Sequence, residues 1–225
     1  MISDFYTLGG NFFWEDVFFY QKWRIQRHYK KKTCRLLDNW DIRRFEGEFN
    51  ECYKEFLKSI ELYEISKQSG HMIIMLPSFF ESKNVFKPLW REILKENYNV
   101  AAINYPATLK NSDSHAKQIN LLLNNLEDIN EVSFITKGVG AIVLDKILSH
   151  KEKWQNKLKI NKVITINNPK EYSLPIKKLT KSYICKIFLG PMCAEVNNFT
   201  PSFKAPNLNI KRFNKNNIKK IIKKL

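Results

Sequence analysis

The residues best placed to do chemistry gather around the pentapeptide Lys137-Gly138-Val139-Gly140-Ala141. It follows a short apolar run, Val132-Ser133-Phe134-Ile135-Thr136, and precedes a helical one that includes Ile142-Val143-Leu144 and Ile147-Leu148. A strand, a sharp turn and a helix in that order are what a G-x-S-x-G segment needs to hold a serine hydroxyl exposed above a sheet. Gly138 takes the serine position, so the turn is expected to carry no nucleophile. Another hydroxyl, Ser78, ends the apolar run Met72-Ile73-Ile74-Met75-Leu76, at the edge where ligands of α/β sheets bind. A Ser78–Lys137 pair is chemically permissible if the lysine is desolvated enough to act as a base. The plainer alternative is a loop serine beside a solvated lysine.

Other candidates are weaker. His115 follows Ser112-Asp113-Ser114, but a triad needs spatial convergence rather than contiguity, and a helix-cap histidine is the better reading. His28 and His71 flank strands. Cys193 has no neighbouring histidine to activate it as a thiolate. Gly138-x-Gly140 lacks the third glycine and the acidic residue about 20 positions on that a dinucleotide site requires. The four cysteines, Cys34, Cys52, Cys185 and Cys193, show no C-x-x-C spacing and no nearby histidine, so they read as reduced thiols and not as zinc ligands. Neither a metal nor a cofactor is expected.

The elements that must position these groups fall into three zones. Residues 1–47 are aromatic and β-prone, with runs Phe12 to Tyr20, Trp23 to Arg27 and Cys34 to Leu37 separated by polar turns, as in an antiparallel meander. The Phe12–Tyr20 run could be a partner or membrane surface, but buried β-core is favoured. A helix from about Glu48 to Lys67 puts Phe49, Cys52, Tyr53, Phe56, Ile60 and Tyr63 on one stripe. From residue 72 to 190 strands and helices alternate. Strands are expected at Met72–Leu76, Val100–Tyr105, Val132–Thr136 and Lys162–Asn167, with a fifth at Ser182–Phe188. Helices are expected at Val85–Glu96, His115–Leu126 (capped from Ser112-Asp113-Ser114) and Ala141–His150. Such alternation implies an open, mostly parallel sheet.

The segment Met72 to Val143 resembles the α/β-hydrolase superfamily, particularly small bacterial lipases and esterases. In that family an apolar strand ends in His-Gly, a helix with Pro-Leu follows, the next strand ends in Asp-Tyr-Pro, and the one after in Thr-His-Ser-x-Gly-Gly. The chain supplies Leu76-Pro77-Ser78, Lys87-Pro88-Leu89, Asn104-Tyr105-Pro106 and Thr136-Lys137-Gly138-Val139-Gly140-Ala141 at matching intervals. Ile166-Asn167-Asn168-Pro169 and the Leu189-Gly190-Pro191 to Glu195 stretch continue the likeness, and Trp23-Arg24-Ile25-Gln26 and Arg35-Leu36-Leu37-Asp38 resemble its leading strands. The resemblance covers about residues 8–196 and implies one α/β-hydrolase-like domain over residues 1–200. It also implies a nucleophile elbow at Lys137, Gly138, Val139 and Gly140, and an oxyanion loop at Pro77, Ser78 and Phe79.

Every functional position departs from the family pattern. Gly138 replaces the nucleophile, Lys137 the preceding histidine, and Pro77-Ser78 the His-Gly. Ser78 or Phe79 could still offer an N–H, and with the Val139 N–H leave a remnant anion-binding notch. After Asp145 there is no aspartate, only Glu152, Glu171 and Glu195, and after His150 no histidine. The family's last strand–helix unit is expected to be missing, replaced by a basic tail over residues 201–225. Loss of a triad costs roughly 10⁴–10⁶ in rate. The resemblance thus implies a lipase- or esterase-like scaffold without serine-hydrolase activity, acting by binding, with an acyl or lipid-like ligand and Lys137 holding its anionic group. An active ester hydrolase using Ser78 and Lys137 stays open beside it.

Composition bounds the rest. A chain of 225 residues with 44% hydrophobic and 13% aromatic content can bury a substantial core, and no apolar run approaches the roughly 18–20 residues that span a bilayer. The N-terminus lacks a basic segment followed by an apolar stretch, so a cytoplasmic location is expected, with a membrane-peripheral one open beside it. The formal net charge is +16, and Phe203 to Leu225 holds eight Lys or Arg residues and no acid. That tail could draw nucleic acid or an anionic membrane surface, or be merely solvated.

Overall fold

The computed structural model describes residues 13–172, 178, 180–183, 187–188 and 190–225. The expected aromatic meander is a four-stranded antiparallel sheet, β1 (Trp14–Tyr20), β2 (Trp23–His28), β3 (Cys34–Leu37) and β4 (Arg43–Gly47), in sequential order. Val17, Phe18, Tyr20, Trp23, Ile25 and Leu36 pack with Cys52 and Phe56 of α1 (Phe49–Leu62) into a core of their own, which is why this zone is so aromatic. The helix opens on a reciprocal Glu48–Glu51 capping box.

The second sheet holds β5 (Gly70–Leu76), β6 (Asn99–Ala102), β7 (Ile129–Lys137), β8 (Lys159–Ile166) and β9 (Asn207–Leu208), all parallel, in the order β6-β5-β7-β8-β9. Along β5, Met72, Ile74 and Leu76 face a core shared with α3 (Ser112–Asn124), α4 (Gly140–Ser149) and α5 (Trp154–Lys157). Ile73 and Met75 face the other way, into a core with α2 (Lys87–Ile93) and α7 (Lys215–Ile222). With helices on both faces, neither side of the strand meets water, so the run is apolar throughout. The expected α/β class, a mostly parallel sheet led by antiparallel strands, is the observed one.

A buried polar joint ties the two sheets together. The Asp16 carboxylate accepts from Arg24 Nη1, Gln26 Nε2 and the Asn104 N–H, each at 2.7 Å, and Gln118 Nε2 donates to the Asp16 carbonyl at 2.6 Å. Arg24 and Asp16 are both fully buried, and a pair so enclosed is retained only where its remaining valences are met. The joint lies at the end of β6, where Asn104 also takes the Lys83 N–H.

Three expectations need correction. Residues 201–225 are not a free tail, because they supply the fifth strand of the sheet, β9 pairing with β8 at Thr165–Asn207 and Ile166–Leu208. Helix α7 then buries Ile218 and Ile221 against the second core, its lysines 215, 219, 220, 223 and 224 remaining exposed. Ile218 and Ile221, with Ile222 and Leu225 partly buried beside them, were enough to dock a helix whose other positions are polar. Secondly, α3 begins earlier than expected, with Asn111 as its cap through a 3.0 Å bond from the Ser114 N–H. His115 is then not a cap but a fully buried core residue packed against Tyr105, the two rings tilted by 41° with centroids 4.8 Å apart. Thirdly, of the segment Ser182–Phe188 expected as a strand, residues 184–186, with Cys185, lie outside the described residues, and Tyr183, Ile187 and Phe188 are helical. Helix α6 (Met192–Glu195) follows, and its Glu195 accepts from the N–H and hydroxyl of Ser112. Cys34, Cys52 and Cys193 are buried free thiols. No helix among the described residues is long and apolar enough to cross a membrane.

Candidate functional site at the strand ends

The chain crosses from β6 back over β5 to reach β7, so the carboxyl ends of β5 and β7 flank the point where the winding reverses. Open α/β sheets bind ligands at such a switch point. The register places Leu76 beside Thr136, so Pro77-Ser78 and Lys137-Gly138 emerge side by side. The two motifs singled out in the sequence therefore do converge.

The turn between β7 and α4 is sharp. Gly138 has φ +49, donates its N–H to the Ile166 carbonyl at 2.9 Å, and leads directly into α4. Gly140 lets the first turn of α4 lie on β5, since a Cβ there would stand 2.5 Å from the Leu76 carbonyl oxygen. At Gly138 the obstacle is different. A Cβ would fall 2.2 Å from Ser78 Oγ, 2.9 Å from Ser78 Cβ and 3.0 Å from the Tyr172 hydroxyl. The space that a nucleophilic side chain would take is filled from the neighbouring loop by Ser78, whose hydroxyl is hydrogen-bonded to Tyr172.

Glu81 organises the surroundings. Its Oε2 accepts the Ser78 N–H at 3.1 Å, and its own N–H closes a turn on the Ser78 carbonyl at 3.3 Å. Its Oε1 is ion-paired with Lys137 Nζ. The Ser78 N–H, one of the donors considered for an oxyanion, is thus taken by a carboxylate, which repels a developing negative charge where an oxyanion hole must attract one. Lys137 is likewise committed. An ammonium held by Glu81 has no lone pair with which to take a proton from Ser78.

The remaining groups are two phenols. Tyr105 donates to the Pro77 carbonyl, and burial, with Glu81 beside it, pushes its hydroxyl far above the ordinary phenol range. Burial and the Glu81 charge also raise Tyr172, opposed by its hydrogen bond to Ser78. Both stay neutral at ordinary pH and serve as donors or acceptors, not as bases. Asn167 and Asn168, at the end of β8, are structural. The Asn167 amide exchanges bonds of 2.8 and 2.9 Å with the Ile210 backbone, and Asn168 accepts from Lys170 N at 3.0 Å.

The chain has four histidines, and none stands at this edge. His71 is the second residue of β5, at the opposite edge, bonded to Ser133 at 2.9 Å; His28 ends β2; His150 follows α4. His115, behind Tyr105, is held down to about 3 by burial, with the Lys110 charge adding to it, and is therefore neutral. Cys193 is buried in α6, its thiol on the Thr180 carbonyl at 3.1 Å. Among the described residues no group of three potential metal ligands occurs.

Sequence reasoning found Pro77, Ser78, Lys137, Gly138, Val139 and Gly140 but missed Glu81 and Tyr172. Glu81 carried a faint signal, an acid three residues beyond a strand-ending serine. Tyr172 carried none, because it arrives from a loop after β8.

No protein-family model matches the chain, and no curated protein does. Among solved structures it is similar to the crystal structure of Bacillus licheniformis lipase BlEst2 in mature form, at 14% identity and a TM-score of 0.43, over 56% of this chain and 55% of that one. The chain thus spans about half the length of that lipase, and a likeness of this size adds no weight to the geometry above.

Proposed function

We propose that the chain is an α/β-hydrolase-like protein, of the lipase and esterase kind, that has lost serine-hydrolase activity and works by binding. One observation carries the proposal: the Ser78 side chain fills the slot above Gly138, with no imidazole at the sheet edge to activate it. The carboxylate of Glu81 on the Ser78 N–H adds to it, since losing one oxyanion donor costs about 10²–10³ in rate. The edge retains the hydroxyls of Ser78 and Tyr172 beside the Lys137–Glu81 pair, suited to holding the polar end of an acyl or lipid-like molecule.

A fluorophosphonate probe with mass-spectrometric readout tests this. We expect no adduct on any serine and no hydrolysis of short p-nitrophenyl esters above buffer. Stoichiometric labelling of Ser78, abolished in Ser78→Ala together with ester hydrolysis, would establish instead an enzyme with an unconventional nucleophile.

A second reading rests on α7, whose exposed lysines form a basic outer side on a helix anchored by Ile218 and Ile221. Docking on an anionic membrane or nucleic acid through that side predicts salt-dependent heparin retention. A Lys219→Glu/Lys223→Glu variant retained as strongly as the parent would dismiss it.

A further inference from the structure

Away from the elbow, the β1–β2 turn, the β3–β4 hairpin and α2 enclose a cleft of about 310 Å³ lined by Lys22, Trp40, Asp41, Lys83, Lys87, Trp90 and Arg91, among others. A second hollow of about 350 Å³ shares Lys22, Asn39 and Trp40 with it, so Trp40 stands as the wall between them. We propose that this cleft binds a nucleoside phosphate, its base against Trp40 and its phosphates on Lys22, Lys87 and Arg91.

The charge distribution points to an anion. Four cations line the cleft against one carboxylate, and that carboxylate, Asp41, is bound by Lys83 Nζ at 2.5 and 2.7 Å. Among the described residues Lys22, Lys87 and Arg91 have no carboxylate within ion-pair distance. Lys87 and Arg91 stand one turn apart on the outer side of α2, a like-charge spacing that weakens a helix unless something neutralises it.

The aromatic part points to a flat ring. Trp40 is 62% exposed, yet its backbone is fixed. Asp38 Oδ1 accepts the N–H groups of Trp40 and Ile42, each at 2.9 Å, and Arg44 Nε holds Oδ2 at 2.8 Å. A large ring presented to solvent from a braced hairpin is a stacking platform, and base–aromatic stacking tolerates any base. Trp90 lines the same cleft, and its indole N–H has no acceptor among the described residues.

Backbone strain gathers here too. Gln21 and Lys22, the two central residues of the β1–β2 turn, have φ 46 and 71, and Asp41 has φ 66. A two-residue turn of that form favours Asn-Gly, and a lysine in the left-handed region is an outlier of the kind that collects at ligand clamps. The volume is that of a small-molecule site, for which the usual range is roughly 300–1,000 Å³.

Isothermal titration and tryptophan quenching with ADP and UDP test the proposal, with adenosine, inorganic pyrophosphate and oligothymidylates as comparators. We expect saturable one-to-one binding of both nucleotides, with adenosine and pyrophosphate each at least about tenfold weaker. Arg91→Ala, Lys87→Ala and Trp40→Ala should each weaken ADP by about fivefold to tenfold. Lys22→Gly relaxes the turn, so it should leave the thermal midpoint unlowered while still weakening ADP; unchanged affinity would overturn the role of Lys22 as a ligand. Absence of saturation by either nucleotide at millimolar concentration would overturn the site, as would pyrophosphate binding as tightly as ADP. Affinity for oligothymidylate that climbs with strand length would replace it with a nucleic-acid surface.

Discussion

Placing a side chain at Gly138 offers the sharpest test of the elbow geometry. In Gly138→Ala the new Cβ meets Ser78 Oγ at 2.2 Å and Ser78 Cβ at 2.9 Å. A rotamer change could move the hydroxyl, but the Cβ moves only with its loop, which the Glu81 carboxylate and the Tyr105 hydroxyl hold. Overpacking of this kind costs about 1–3 kcal/mol. A non-glycine residue at φ +49 adds about 1–2 kcal/mol. We therefore expect Gly138→Ala to lose about 2–5 kcal/mol in urea unfolding followed by circular dichroism. Ser78→Gly removes both offending atoms, so in that background only the backbone part should remain. The double-mutant cycle should show the pair less destabilised than the sum by about 1–3 kcal/mol. Additivity within about 0.5 kcal/mol would mean that Ser78 does not occupy the slot, and the proposed binding role would lose the observation that carries it.

Two further perturbations probe the scaffold. His115, ordinarily near 6.5, is held down to about 3 in the folded state, so between those values the unfolded chain binds more protons and stability must fall as pH falls. The native state is at full stability above pH 6.5 and should lose about 2–3 kcal/mol by pH 4.5 from this group. His115→Leu should remove that part of the acid slope in urea titrations at the two pH values, and an unchanged slope would refute the assignment. For α7, Ile221→Ala should cost about 2–5 kcal/mol because Ile221 is fully buried, whereas Lys220→Ala should stay within about 0.5 kcal/mol. Equal thermal midpoints for the two variants would return the segment to the status of a solvated tail.

Legibility followed the range of the interactions involved. The strands β5, β6, β7 and β8 were readable from short apolar runs, and in β5 the run is apolar on both faces, a local property of composition. The turn at Gly138 was readable because two glycines between a strand and a helix have one economical explanation. The docking of α7 was not, since Ile218 and Ile221 are too few to distinguish an anchored helix from a tail without the groove that receives them. Nor was the burial of His115, which depends on α3 starting at Ser112 and not at His115.

The amino-acid order alone determined that the elbow carries no hydroxyl of its own and that no histidine follows residue 150, because these are matters of which side chains exist. Only the folded chain decided what took the vacated space. Ser78, Glu81, Lys137 and Tyr172 come from four separate stretches, and whether Ser78 faces a base, an oxyanion or a glycine depends on the ångström-scale register of β5 against β7. Contacts between distant segments depend on packing that spacing along the chain does not encode, so the same residues could be a dyad on paper and a filled slot in three dimensions.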